Sequence, residues 1–184
     1  MIAVVKTVLE SRCQMKSLAF ILSLTVAALA AGLAFARATA DDEHAELTKA
    51  LSGARVSLES ALSAAATAGK PISAKYEVED GKLQLSVYTA KDGKFSEVIV
   101  DHSSGKVAES EAITDGEDLT AARSQTEAMA KAKLSLSNAV AKAVAANEGF
   151  RAVSTVASLK DGHPVAAISL VKDGEWKTVV EKLD

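Results

Sequence analysis

The chain has 184 residues, and its 21 Lys and Arg against 24 Asp and Glu give a net charge of −3 at pH 7. Nucleic acids and anionic membrane surfaces need a concentrated basic face, so this acidic balance argues against both as partners. Cys13 is the only cysteine. No disulfide can therefore form within the chain, and stability must come from a buried core.

The first 40 residues have the pattern of a cleaved signal peptide. Lys16 provides a positive charge, and an apolar run from Leu18 to Ala36 follows it. Ala38-Thr39-Ala40 is a small-x-small cleavage site directly before Asp41. We therefore expect residues 1–40 to be an N-terminal extension and signal peptide, and the mature protein to be periplasmic or secreted.

Several alternatives remain open for this leader. Met15 begins the pattern in the usual way, so translation could start there or at Met1. Ala34-Phe35-Ala36 and Ala36-Arg37-Ala38 are competing cleavage sites. The apolar run could also be a retained membrane anchor, but its alanine-rich composition and small-residue ending favour removal. Removal would leave no stable membrane span and a net charge of −6, because four basic residues and one acidic residue go with it.

Residues 41–113 predict helices followed by strands. Glu43–Ser52 is rich in helix formers, and the Ser57 hydroxyl can cap a second helix. In the next segment, Ala74–Val78, apolar and polar residues alternate as in a half-buried strand. Two further strands are expected, and a fourth over 106–113. The turns between the first three are Asp-Gly pairs, which favour type I′ hairpins: Asp80-Gly81 and Asp92-Gly93.

Residues 121–184 repeat this order after a polar, acidic linker at 114–120. A helix is expected from about Ala121 to Lys131, and Ser135 can cap the next one. Three strands follow, again separated by Asp-Gly pairs: Asp161-Gly162 and Asp173-Gly174. In both units the two pairs are 12 residues apart, and the second set follows the first by 81 residues.

A segment carried twice indicates an internal duplication. The string Ala54-Arg55-Val56-Ser57-Leu58 recurs as Ala132-Lys133-Leu134-Ser135-Leu136. We therefore predict an α+β fold of two tandem repeats, each a helix packed on a three- to four-stranded antiparallel sheet. Ala166–Val171 is almost continuously apolar, so we expect another sheet or a helix to cover both faces of that strand.

The first unit resembles the PepSY domain family. The resemblance rests on the helix that begins at Ser57, the hairpin Tyr76–Gly81, and the string Val98–Val107, where an Asp, a Gly and a following Lys-Val end the sheet. The second unit keeps the helix and both turns but lacks this ending after Val180.

The resemblance to PepSY domains implies a small non-catalytic module. The family occurs in peptidase propeptides and in periplasmic or membrane proteins, and it is proposed to inhibit or chaperone peptidases or to bind other proteins. Its fold is similar to the helix-on-sheet unit of beta-lactamase inhibitor protein. The resemblance implies no catalytic residues.

Few residues of this chain can support catalysis or metal binding. The three histidines, His44, His102 and His163, lie in polar helix or turn segments without the further ligands that a metal needs. Ser57 and Ser135 are better explained as helix caps than as nucleophiles, since the chain has no Gly-x-Ser-x-Gly motif. We therefore expect no enzymatic activity, no metal and no cofactor.

Two aromatic residues are candidates for partner binding. Trp176 follows the second Asp-Gly turn of its unit, as Phe95 does in the first unit. Core packing explains this position well, but Trp176 could instead anchor a protein partner. Tyr88 stands beside Val87 and breaks the alternation, so its side chain should lie on the other side of the sheet.

Two functions fit these observations. The first is an exported, non-catalytic protein that binds or inhibits a peptidase or another cell-envelope protein through a sheet face or a sheet edge. The alternative is a sensory or small-ligand-binding envelope protein with a cleft between the two repeats.

Overall fold

The computed structural model describes the backbone of residues 33–184 and the side chains from Asp42 onward. The two candidate start sites and most of the predicted leader lie outside these residues. The helices are α1 Leu33–Ala50, α2 Leu58–Ala65, α3 Gly116–Lys131 and α4 Leu136–Ala145. The strands are β1 Lys70–Glu79, β2 Lys82–Lys91, β3 Lys94–Val100, β4 Val107–Ile113, β5 Arg151–Lys160, β6 His163–Lys172 and β7 Glu175–Lys182.

All seven of these strands belong to one antiparallel sheet, which confirms the α+β class. Their order is β4-β3-β2-β1-β5-β6-β7. The prediction gave each unit three to four strands, and the structure joins the two sets where β1 pairs with β5. Three residue pairs make this junction: Ser73 with Val156, Ala74 with Thr155, and Lys75 with Ser154.

Each strand turn that contains an Asp-Gly pair has left-handed backbone geometry. The four aspartates have φ angles of 50 to 52°, and the glycines that follow them also have positive φ. Type I′ turns require this conformation, which Asp and Gly tolerate better than other residues. These pairs are therefore tight hairpin turns, as predicted from the sequence.

Serine hydroxyls cap both of the short helices that carry the repeated string. Ser57 Oγ accepts a hydrogen bond from the Ser60 N–H at 3.2 Å, and Ser135 Oγ accepts one from the Asn138 N–H at 3.2 Å. The two helices, α2 and α4, pack against each other on one face of the sheet. Their buried stripes are Leu58, Ala61, Leu62 and Ala65 in α2, and Leu136, Ala139, Val140 and Ala143 in α4.

The helix α3 covers the middle of the opposite face. It packs against β5, β6, β1 and β2, and Ser73 Oγ donates to Gln125 Oε1 at 2.8 Å. Helices therefore cover both faces of β6, as its apolar run predicted. The helix begins at Gly116 rather than Ala121. Glu117 and Asp118 lie in its first turn, where negative side chains stabilise a helix by interacting with the positive end of its dipole.

Corresponding backbone hydrogen bonds precede α2 and α4. The N–H groups of Arg55 and Val56 both donate to the His102 carbonyl, at 2.9 and 3.0 Å. Those of Lys133 and Leu134 donate to the Leu183 carbonyl, at 2.7 and 2.9 Å. In each half the segment before the helix is thus held by a residue just beyond the end of a strand that lies farther along the chain.

Thr155 lies in the β1–β5 junction and has no exposed surface. Its hydroxyl oxygen has no hydrogen-bond partner among the residues that the structure describes. A buried hydroxyl without a partner loses its hydration and gains nothing in return, which costs about 1–3 kcal/mol. The Thr155 hydroxyl therefore lowers the free energy of unfolding relative to an apolar side chain of the same shape.

We predict that Thr155→Val raises the free energy of unfolding by about 1 kcal/mol, because valine has nearly the same shape and no hydroxyl. Urea denaturation measures this change. Thr89→Val is the matched control: Thr89 is equally buried, but its hydroxyl donates to the Ser96 carbonyl at 3.4 Å. The control should gain no stability, and equal gains in both variants would contradict the explanation.

Candidate functional site

Tyr88 and Trp176 lie on the face of the sheet that carries α3. Tyr88 pairs with Ser73, whose hydroxyl reaches α3. A row of paired residues continues from Ser73 to Val180 of β7, and Trp176, four residues earlier in β7, lies on the same face. The row is Ser73, Val156, Ala167 and Val180. Because α3 packs on the strands between them, the two aromatic residues do not form one site.

A set of side chains that includes four glutamates surrounds Tyr88 on β1 to β4. We call it the acidic patch, and its register pairs are Lys75 with Ser86, Glu77 with Gln84, Tyr88 with Glu97, Glu97 with Glu111, and Ile99 with Glu109. Paired residues have neighbouring side chains on the same face. The patch therefore brings four carboxylates together on one face.

Hydrogen bonds order the inner part of the acidic patch. The Tyr88 hydroxyl donates to Glu97 Oε1 at 3.3 Å, and Ser86 Oγ donates to Glu77 Oε1 at 3.2 Å. Lys75 forms an ion pair with Glu77, and its Nζ lies 5.8 Å from the centre of the Tyr88 ring. The aromatic ring thus has a cation over one part and a carboxylate at its hydroxyl.

The electrostatics of the acidic patch disfavour a charged Glu97. Burial is the main cause that raises the pKa of this carboxyl, and the nearby Glu77 carboxylate raises it further. Hydrogen bonds from Ser86 and Tyr88 and the positive charge of Lys75 act in the opposite direction without cancelling the rise. Glu111 lies directly opposite on β4, and like charges in that position destabilise a sheet. Burial, with Glu97 and Glu77, also raises the pKa of Tyr88, so the tyrosine remains a hydrogen-bond donor.

Sequence reasoning singles out Tyr88 but not its carboxylate neighbours. The alternation in Ala74–Val78 places Glu77 on the solvent side of a half-buried strand. Glu97 is two residues from Phe95, and its strand has no simple alternation. The signal that could have found this site is cross-strand: counting outward from the two Asp-Gly turns places Glu97 beside Tyr88 and Gln84 beside Glu77.

Trp176 is half-buried and contacts α1. Its ring stacks on the imidazole of His44, with the ring centres 4.0 Å apart and the planes at 7°. Its Nε1–H donates to the Thr48 hydroxyl at 3.1 Å. A shallow cleft of about 480 Å³ lies at this contact. Trp176 therefore holds the N-terminal helix against the sheet.

A second cleft, of about 370 Å³, lies beside α2 and α4. Side chains from both halves line it, among them Leu62, Lys70, Met129 and Ser137. Lys70 Nζ donates to the Met129 carbonyl at 2.5 Å, which places a cation at this cleft. It is the feature that corresponds best to the expected space between the two repeats.

The acidic patch lies within a segment that matches a known family. The model of the PepSY family, described as the peptidase propeptide and YPEB domain, matches residues 55–111. Residues 55–111 are a PepSY domain. This PepSY domain covers α2, the first three strands and most of β4, so it holds every residue of the acidic patch, while Trp176 lies outside it.

Other comparisons add little to the PepSY assignment. No curated protein matches the chain. A crystal structure of a candidate lipoprotein from Clostridium difficile 630 is 16% identical, with 62% of this chain and 76% of that chain covered, at a TM-score of 0.39. Similarity at this level supports no conclusion about function.

Two kinds of feature do not occur in the part of the chain that the structure describes. None of its helices is both long enough and apolar enough to cross a membrane. No three of its His, Cys, Asp and Glu side chains are grouped so that they could hold a metal ion.

We predict that Glu97→Gln stabilises the protein at pH 7 and has no such effect at pH 4. The pKa of Glu97 in the folded protein is raised above the usual 4.5. Between its pKa in the unfolded chain and its pKa in the folded protein, the folded protein therefore binds more protons than the unfolded chain. Its stability therefore falls as the pH rises through that window. Thermal unfolding at both pH values measures the effect, and Glu175→Gln, at an exposed position of β7, should show no pH-dependent gain. Equal stabilisation by Glu97→Gln at both pH values would count against an unfavourable charge.

We also predict that His44→Ala exposes Trp176 to solvent. Trp176 is the only tryptophan, so its fluorescence reports this contact alone. The emission maximum should move to longer wavelength, and acrylamide should quench the fluorescence more strongly, because one face of the indole ring loses its stacking partner. Glu46→Ala, at an exposed position of α1, is the control. An unchanged spectrum for His44→Ala would show that α1 does not pack on Trp176 in solution.

Proposed function

We propose that this chain is an exported, non-catalytic PepSY protein that binds a peptidase or another cell-envelope protein through its acidic patch. The observation that carries the proposal is the half-buried Glu97, which is held against the carboxylates of Glu77 and Glu111. A cationic group from a partner would offset this repulsion. Tyr88 offers an aromatic contact beside it, and tyrosines are frequent at the centres of interfaces.

Export is the second part of the proposal. Residues 1–40 act as an N-terminal extension and cleaved signal peptide, and the mature protein is periplasmic or secreted. The leader pattern in the sequence supports this location. The association of PepSY domains with peptidase propeptides agrees with a partner outside the cytoplasm.

The proposed organisation is a duplication. Residues 41–113 are the first PepSY-like repeat, 114–120 the connection and 121–184 the second PepSY-like repeat. The matching serine caps, Asp-Gly turns and backbone bonds ahead of α2 and α4 support it. Register shifts also support it. They lie at corresponding places in the first hairpin of each half, between Pro71 and Ser73 and between Ala152 and Ser154.

Trp176 would be a second, separate binding surface, which becomes accessible when α1 moves away from it.

The test is inhibition of exported peptidases. The purified protein should slow casein hydrolysis by the periplasmic or secreted peptidases of its own cell. Tyr88→Ala should weaken this inhibition at least about fivefold, as expected for loss of a central aromatic contact. Glu175→Gln, on β7, is the control and should inhibit like the parent, and circular dichroism checks that each variant is folded. A pull-down with the immobilised protein from the periplasm or culture medium accompanies this assay. If the pull-down enriches no protein and no peptidase is slowed, the proposal fails.

A second candidate function is binding of a small ligand in the cleft beside α2 and α4. The observation that favours it is the polar and apolar lining from both halves around Lys70. Thermal unfolding across a set of small metabolites would separate the two proposals. A ligand that stabilises the protein, and fails to do so in Lys70→Met, would support ligand binding, with no need for a protein partner.

A further inference from the structure

The strand β4 has one unpaired edge. It is the first strand in the sheet order, so among the described elements only β3 pairs with it. Its residues are exposed from Val107 to Ala112, and no helix packs substantially on it within that part of the chain. The unpaired N–H and C=O groups of such an edge can bind an extended segment as an additional strand.

The two edges of the sheet differ in the residues that protect them. β7 carries Lys177 and Lys182, and lysines are a common means of preventing unwanted strand pairing. Lys142 of α4 also forms an ion pair with Glu181 of β7 at 2.6 Å. β4 has neither lysine nor proline, and its charged residues are Glu109 and Glu111. The β4 edge is therefore open to a strand of suitable charge.

The charge on β4 disfavours a second copy of this chain as its occupant. Two copies of β4 that paired antiparallel about Ser110 would place Glu109 of one opposite Glu111 of the other. Like charges directly opposite destabilise a pair of strands. The same two glutamates would stabilise a strand with cations at the corresponding positions.

We propose that β4 binds an extended segment with Lys or Arg at alternate positions, which adds an eighth strand to the sheet. Alternate residues of a strand lie on one face, so the cations would lie beside Glu109 and Glu111 and near the crowded Glu97. The residues between them would lie beside Ser110 and Ala112, which pair with Val98 and Ser96 on the other face. The inference rests on the proposed function and names the kind of segment that a protein partner would offer.

A soluble synthetic peptide of four Lys-Thr repeats is the probe. It should bind the full-length protein, and two-dimensional NMR of the ¹⁵N-labelled protein should show the largest shifts at β4 and β3. A peptide with four lysines followed by four threonines has the same charge and should bind more weakly, because its cations alternate between faces. The Lys-Thr peptide with every backbone nitrogen methylated should not bind, because it has no N–H donors for the edge.

Variants of the protein test the charge requirement. Glu109→Gln with Glu111→Gln should weaken binding of the Lys-Thr peptide by about threefold to tenfold, as expected for two exposed charge pairs. Raising the salt concentration should weaken it in the same direction. Glu175→Gln, on the opposite edge of the sheet, is the matched control and should bind like the parent.

Several results would overturn the proposal. They are no binding at a peptide concentration of about 1 mM, shifts centred on β7 or on the helices, equal binding by the methylated peptide, or no effect of the double Glu109 and Glu111 substitution. The result also separates the two proposals. Peptide binding at β4 without inhibition of any peptidase would retain the edge site and remove the peptidase as its partner, whereas inhibition without peptide binding would remove the edge site alone.

Discussion

The β1–β5 junction is the constraint on which the rest of the structure depends. Only three residue pairs join the two sets of strands, yet they turn two separate hairpin layers into one sheet. The junction is stable because helices cover it on both faces: α2 and α4 pack together on one side, and α3 lies across the other. Burial of these apolar stripes supplies the main stabilisation, and the junction tolerates even the buried, unpaired hydroxyl of Thr155.

Joining the strands in this way also determines which surfaces remain open. α3 occupies the middle of one face, so the acidic patch lies on one side of it and Trp176 on the other. The PepSY domain keeps its exposed strands at the far edge, away from the junction. Burial and the Glu77 carboxylate raise the pKa of Glu97, so we expect its charged form to cost stability at neutral pH.

The parts of this fold that depend on local chemistry could be predicted from sequence. The caps at Ser57 and Ser135 and the Asp-Gly turns require only a hydroxyl or a backbone conformation within a few residues, and the structure has all of them. The face of Tyr88 followed from alternation. Contacts between distant segments could not be predicted in the same way. The pairing of Ala74 with Thr155 depends on strands that lie far apart in the chain, and the burial of Glu97 depends on the register of three strands.

The contact between α1 and Trp176 would have a consequence if the proposed leader is cleaved. Cleavage after Ala40 would fall inside α1, which extends from Leu33 to Ala50, and would leave a helix of about three turns. Helices of this length are marginal by themselves in water, and a new positively charged amino terminus would oppose the helix dipole. The stack on Trp176 and the bond to Thr48 would then hold the shortened helix in place, so maturation would convert a long helix into a short one that depends on its docking site.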